Sequence, residues 1–181
     1  MRQIAWMILL LILAGCGGPS TQYLLSVDST KISKRSHKNV QIAVDKVTVP
    51  GYMEESQIAI QKSGGEISYR SEIWAVPSAK ALTSTLIRSL QKKFSNPNVY
   101  LFPWDVEKES GIRVKVTINQ FIYNNGTVSL EATYFIKRIG SSHKRSYLFS
   151  TRVTSGADTA TIVQAMRIAF GRLVEEIGRK L

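Results

Sequence analysis

The sequence predicts an α/β fold of α+β character: a single domain in which a mixed, largely antiparallel sheet carries two long amphipathic helices on one side. Three observations lead there. Ile112, Val114, Val116 and Ile118 alternate with Arg113, Lys115, Thr117 and Asn119, the pattern of a strand with one buried and one wet face. Asn125-Gly126 is a strong signal for a two-residue hairpin, because both residues accept positive φ. Two segments place apolar residues at helical spacing, and a sheet with one wet face needs such helices only on the other.

The elements follow in order. Tyr23 to Val27 is a small apolar run, and residues 28–39 hold almost no apolar surface and read as a loop. Val40, Ile42 and Val44 alternate, the phase slips at Asp45-Lys46, and Val47 and Val49 resume it. That pattern fits one bulged strand or two short ones, ended by Pro50-Gly51. Ile58-Ala59-Ile60 and Ile67-Ser68-Tyr69 flank Ser63-Gly64-Gly65 as a hairpin. Pro77 opens a helix whose Leu82, Leu86, Leu90 and Phe94 recur every fourth residue beside Ile87, and Asn96-Pro97 stops it. Val99 to Phe102 reads as a short buried strand. After Asn125-Gly126, the strand back presents Val128, Leu130, Ala132, Tyr134 and Ile136 on one face. A polar turn over Gly140–Arg145 leads to a strand from about Tyr147 to Val153. Asp158 or Ser155 caps a final helix with Ile162, Met166, Phe170, Leu173 and Ile177 in one stripe, widened by Val163, Ala169 and Val174. There is no internal repeat and no second domain.

The N-terminus carries an address. Arg2 precedes an apolar run from Ile4 to Leu13, too short to span a bilayer, and small residues follow at Ala14-Gly15. The sequence Leu13-Ala14-Gly15-Cys16 resembles the lipobox of bacterial lipoproteins. The resemblance implies that residues 1–15 are removed as signal peptide and that Cys16 carries N-acyl and S-diacylglycerol lipid. Residues 16–22 then form the lipidated N-terminus and tether, and residues 23–181 the folded domain. Removing 15 residues from 181 leaves 166, enough for one core. Two or three acyl chains hold a protein on a membrane essentially permanently, whereas one does so only marginally. Gly17 after the anchor resembles the default for sorting to the outer membrane, with the domain facing the periplasm.

Cys16 is the only cysteine, so its use as anchor leaves no thiol for a disulfide, a nucleophile or a metal. His37 and His143, the two histidines, sit in Ser/Lys/Arg-rich loops with no carboxylate within four residues to orient them. Glu54-Glu55, Glu107/Glu109 and Glu175-Glu176 lie in no metal-ligand spacing. No nucleophile elbow, zinc-binding helix motif or phosphate loop is present. The expectation is a protein without catalytic, cofactor or metal residues.

The formal charge is +11, or +10 once Arg2 leaves. An exported lipoprotein rarely meets nucleic acid, so the excess points either to solvated faces or to an anionic envelope surface. Lys34, Arg35 and Lys38, with Lys31, lie shortly after the anchor. Lys144 and Arg145, with Lys137 and Arg138, surround a hairpin end. A cation near an anionic leaflet is worth about 1 kcal/mol.

Several segments together resemble one family. They are Tyr23-Leu24-Leu25 after the lipidated cysteine, Val40-Gln41-Ile42-Ala43-Val44, Val47-Thr48-Val49-Pro50-Gly51-Tyr52-Met53, Gln57-Ile58, and Trp74-Ala75-Val76-Pro77 at the head of the first long helix. On these the chain resembles the ABC-type transport auxiliary lipoprotein family, the PqiC/YmbA group, over nearly the whole mature length. Met53 stands where that family often has leucine, a mild change in an apolar slot. The resemblance implies a non-catalytic, outer-membrane partner of MCE-domain proteins and inner-membrane transporter components that move phospholipid or other hydrophobic molecules, acting as a homo-oligomeric ring. It also implies that Tyr52, Met53 and Trp74 make a subunit or partner contact, against the simpler expectation that all three are core. Two other classes stand beside it: a structural or assembly lipoprotein of a secretion or envelope complex, and an envelope hydrolase acting through His37 or His143.

Overall fold

A computed structural model describes residues 21–27, 40–103, 111–138, 140 and 144–181. Eight strands form one sheet: β1 (Gln22–Tyr23), β2 (Ile42–Asp45), β3 (Gln57–Gln61), β4 (Ile67–Trp74), β5 (Val99–Phe102), β6 (Ile112–Asn124), β7 (Thr127–Arg138) and β8 (Lys144–Thr154). Helices α1 (Ser78–Phe94) and α2 (Thr159–Lys180) pack on it. The long ladders β6–β7–β8 are antiparallel, as is β3–β4. The pairs β1–β4, β2–β5, β2–β6 and β3–β6 are short and parallel. The sheet is mixed and not closed, with β8 at one edge.

The helices form where the apolar spacing predicts. Leu82, Leu86, Leu90 and Phe94 of α1 are at most 2% exposed, as are Ile162, Met166, Phe170, Leu173 and Ile177 of α2. Each such side chain contributes roughly 1.5–3 kcal/mol by leaving water. α1 ends one residue before Asn96-Pro97. Ser95 takes the left-handed conformation at φ 48°, and the N–H groups of Ser95 and Asn96 donate to Lys92 and Gln91 carbonyls. The Asn96 side chain donates to the Val40 carbonyl at 2.7 Å, tying this helix end to the entry of β2.

Of the two candidate caps for α2, Asp158 serves. Its carboxylate accepts from the Thr161 hydroxyl at 2.6 Å and the Thr161 N–H at 2.9 Å, which holds its pKa below the ordinary carboxylate value. The depressed pKa belongs to the folded state. The stabilisation is therefore complete at neutral pH and is lost as acid protonates the group, below about pH 4. Asp158→Asn should lower the melting temperature at pH 7, and that gap should narrow as the pH falls below about 4, measured by thermal melts across the acid range.

The slip at Asp45-Lys46 resolves as two pieces. β2 ends at Asp45, and the Val47 N–H turns to the Thr83 hydroxyl on α1 at 2.9 Å. Thr48 then rejoins the sheet through a single bridge to Thr117. A second slip, not visible in the alternation, sits inside β6. Ile118 opposes Ala132 but Gln120 opposes Glu131, so Asn119 is extra and the inward parity switches. Beyond the bulge Phe121 and Tyr123 join the core, at 1% and 9% exposure. β8 is longer than expected, starting at Lys144 inside the stretch read as a turn.

Candidate functional site

The motif Val47 to Met53 folds onto β6 at its bulge. The Thr48 N–H donates to Val116 and the Thr48 carbonyl accepts from Ile118, at 3.1 and 2.8 Å. Gly51–Met53 form a 3-10 turn started by Pro50, which presets φ. From that turn the Tyr52 hydroxyl accepts the Phe121 N–H at 2.9 Å, just past the extra residue. Burial pushes the Tyr52 phenol up, and the Phe121 bond only partly offsets it, so the group stays neutral. Met53, 3% exposed, fills the core beneath. Tyr52→Phe should strand a buried backbone N–H and cost about 1–3 kcal/mol. Chemical denaturation checks it, and an unchanged midpoint would show that water replaces the hydroxyl.

Trp74 is the last residue of β4 and is 7% exposed. Its backbone N–H donates to the Ser56 carbonyl at 2.7 Å, and the Ala75 N–H donates to the Tyr23 carbonyl at 2.8 Å. Trp74-Ala75-Val76-Pro77 therefore joins β1, β3 and β4 before α1 begins. Of the three motif residues, Met53 and Trp74 lie inside the fold, and only the half-buried Tyr52 reaches solvent. They brace the β6 bulge and one sheet edge.

Cys16, Lys31, Lys34, Arg35, Lys38, His37, His143, Glu107 and Glu109 lie outside the described residues. The exposed Lys137, Arg138 and Arg145 meet where β7 and β8 pair, with Lys144 opposite Lys137. The neighbouring Arg113 pairs with Asp45 in two bonds of 2.9 and 3.2 Å and lies over the Phe102 ring at 3.9 Å. Its charge is satisfied within the sheet. Among the described residues, no group of three or more His, Cys, Asp or Glu could hold a metal ion, and no helix is long and apolar enough to cross a membrane.

The feature that sequence reasoning missed is the course of the N-terminal segment. Leu24 to Val27 runs as a strap between α1 and α2. The Thr85 hydroxyl donates to the Leu25 carbonyl at 3.1 Å, and the Arg167 guanidinium donates twice to the Leu24 carbonyl, at 3.2 and 2.8 Å. Leu25 enters the core at 2% exposure. Gly171 makes room for the strap, since a Cβ there would stand 3.3 Å from Val27 Cγ1. Grooves of about 540 and 250 Å³ flank the strap, walled by Arg167, Ile168 and Arg172 on one side and by Arg88 and Lys92 on the other. The signal available in the sequence was α1 itself, whose residues 78–94 include four cations and no carboxylate.

Comparison with known proteins agrees with this architecture. Among solved structures, a Xanthomonas campestris protein assigned to DUF330 superposes with a TM-score of 0.75 at 17% identity, covering 88% of this chain and 93% of its own. A crystal structure of an uncharacterized protein superposes at 0.73 with 17% identity, over 90% of this chain and 99% of that one. At such identity these likenesses concern the fold. No curated protein matches the sequence. The model of one family, described as the ABC-type transport auxiliary lipoprotein component, matches residues 23–178, from the last residue of β1 to the last turn of α2. The chain belongs to the ABC-type transport auxiliary lipoprotein family.

Proposed function

We propose that this protein is an outer-membrane-anchored, non-catalytic component of an MCE/ABC-type system that moves phospholipid or another hydrophobic molecule between the two envelope membranes. The observation that carries the reading is the family match across the whole folded domain, which makes the chain a transport-associated lipoprotein rather than an enzyme. The finer assignment adds the lipobox at Leu13 to Cys16, with N-acyl and S-diacylglycerol lipid on Cys16 as its only prosthetic group, and Gly17 as the sorting residue. The sequence has no phosphate-binding loop, so the energy for transport belongs to the inner-membrane partner. The domain acts as a docking body, assembled from several copies, that receives an MCE-domain protein on the periplasmic side.

Affinity capture of the lipidated protein from detergent-solubilised envelopes tests this directly. An MCE-domain protein and its permease should co-purify, and a deletion strain should lose outer-membrane lipid asymmetry. A monomer that captures no envelope partner, in a strain with intact asymmetry, overturns it. Loss of an appendage or secreted product instead would favour the assembly-lipoprotein class.

A further inference from the structure

We infer that the helical face crossed by the N-terminal strap lies against an anionic phospholipid surface, an inference that rests on the lipid anchor proposed at Cys16. The first argument is reach. Only residues 17–21 separate Cys16 from the start of β1 at Gln22. The six steps from Cys16 to Gln22 span at most about 20–22 Å when fully extended. The strap then passes directly into the helical layer, where Thr85 and Arg167 hold its carbonyls. The tether meets the body at β1, an edge strand of the sheet, and the strap that follows lies on the helical layer, so this edge and the helices beside it are held near the leaflet.

The second argument is charge. Lys80, Arg88 and Lys92 share the exposed face of α1 with Ser84, at four-residue spacing. α2 adds Arg167 beside the strap and the exposed Arg172. The carboxylates of this layer are already engaged: Glu175 accepts from the buried Lys93 at 2.5 Å, and Glu176 pairs with Arg179. Among the described residues, the five cations have no carboxylate partner. Arg167 bonds to a neutral carbonyl and keeps its full charge. The other side of the sheet carries Lys115, Lys137 and Arg152 as well, but there Arg113 is neutralised by Asp45 and Glu131 shares the face, and no strap from the anchor crosses it.

The third argument is the apolar surface set among those cations. Leu24 is 40% exposed and Ile168 42% exposed, and both line the grooves beside the strap. Exposed aliphatic side chains ringed by Arg and Lys suit the boundary of headgroup and acyl chain. The cations act within a Debye length of about 8 Å, which is shorter than the extended tether, so the tether permits this contact and the charge draws the face into it.

Labelled full-length protein tests the orientation. Lipidation consumes Cys16, so Ser84→Cys offers a single free thiol on the cationic face, and Ser146→Cys offers one on the exposed β8 surface. Each labelled lipoprotein is reconstituted on vesicles of phosphatidylcholine alone or mixed with phosphatidylglycerol. On anionic vesicles the label at 84 should lose about fivefold of its accessibility to an aqueous quencher, and more where several cations engage together. The label at 146 should not change. High salt, or Arg88→Gln with Lys92→Gln at an unchanged melting temperature, should restore accessibility at 84. Equal accessibility of residue 84 on the two vesicle types overturns the inference, as does protection of 146 instead. Protection of 84 only after an envelope extract is added would assign the face to an acidic protein and overturn it too. Flotation on neutral vesicles reads the anchor separately: a chain that fails to float lacks the lipid, whereas one that floats without the anionic difference lacks only the proposed orientation.

Discussion

Replacing Gly111 with alanine should strongly damage the folded domain, lowering stability by about 3 kcal/mol. Gly111 lies immediately before β6, where the chain presses against β2. A Cβ at this position would stand 2.9 Å from the Gln41 nitrogen and 3.0 Å from its carbonyl carbon, and would overlap the Gln41 carbonyl oxygen. All three are backbone atoms, so no rotamer relieves the clash. The same carbonyl accepts the Ile112 N–H at 2.8 Å, which starts the parallel pairing of β2 with β6. Moving it aside costs that hydrogen bond and loosens Ile42 and Val114, both 0% exposed. For a domain of this size the melting temperature should fall by roughly 6–12 °C. Gly64→Ala is the control, because nothing lies within 4 Å of its added Cβ. A Gly111→Ala protein that melts with the control would mean that β2 and β6 can separate at no cost.

Cys16→Ala should move essentially all of the protein from the membrane to the soluble fraction and leave its melting curve unchanged. The substitution turns Ala14-Gly15-Cys16 into an A-x-A-like site that ordinary signal cleavage accepts, so export continues without the lipid. Two or three acyl chains bind a protein almost permanently and their loss leaves only surface charge, which salt removes. The fold has no stake in the change, since the first buried side chain among the described residues is Leu25, nine positions on. Fractionation, with the mass of the mature N-terminus, checks this. Retention in the membrane at the parental level would assign anchoring to something other than Cys16. Transport function should fail with location, even though the domain is intact.

The hairpins and helices were legible because each is a local pattern. Asn125 and Gly126 adopt φ of 41° and 79°, as the two-residue turn demands. The stripes of α1 and α2 all face the core. The β6 bulge was not legible, because Ile118, Phe121, Ile122 and Tyr123 fit more than one alternation, and pairing with β7 and the Tyr52 hydroxyl selects the bulged register. The motif residues show the same division. Tyr52, Met53 and Trp74 stand out in sequence as large side chains near turns, but only the surrounding elements decide that Met53 and Trp74 are covered.

The sequence by itself determined the lipobox pattern, the succession of strands and helices, and the family, since each is carried by short segments that are read locally, one after another along the chain. Only the tertiary structure decided that the strap Leu24 to Val27 runs between two helices distant in sequence, with Thr85 and Arg167, 82 positions apart, bonding its consecutive carbonyls. That contact sets cations from both helices on either side of the strap. The charges are plain in the sequence, but which of them lie together, and which are already paired, is set by packing across long sequence separations that no local pattern records.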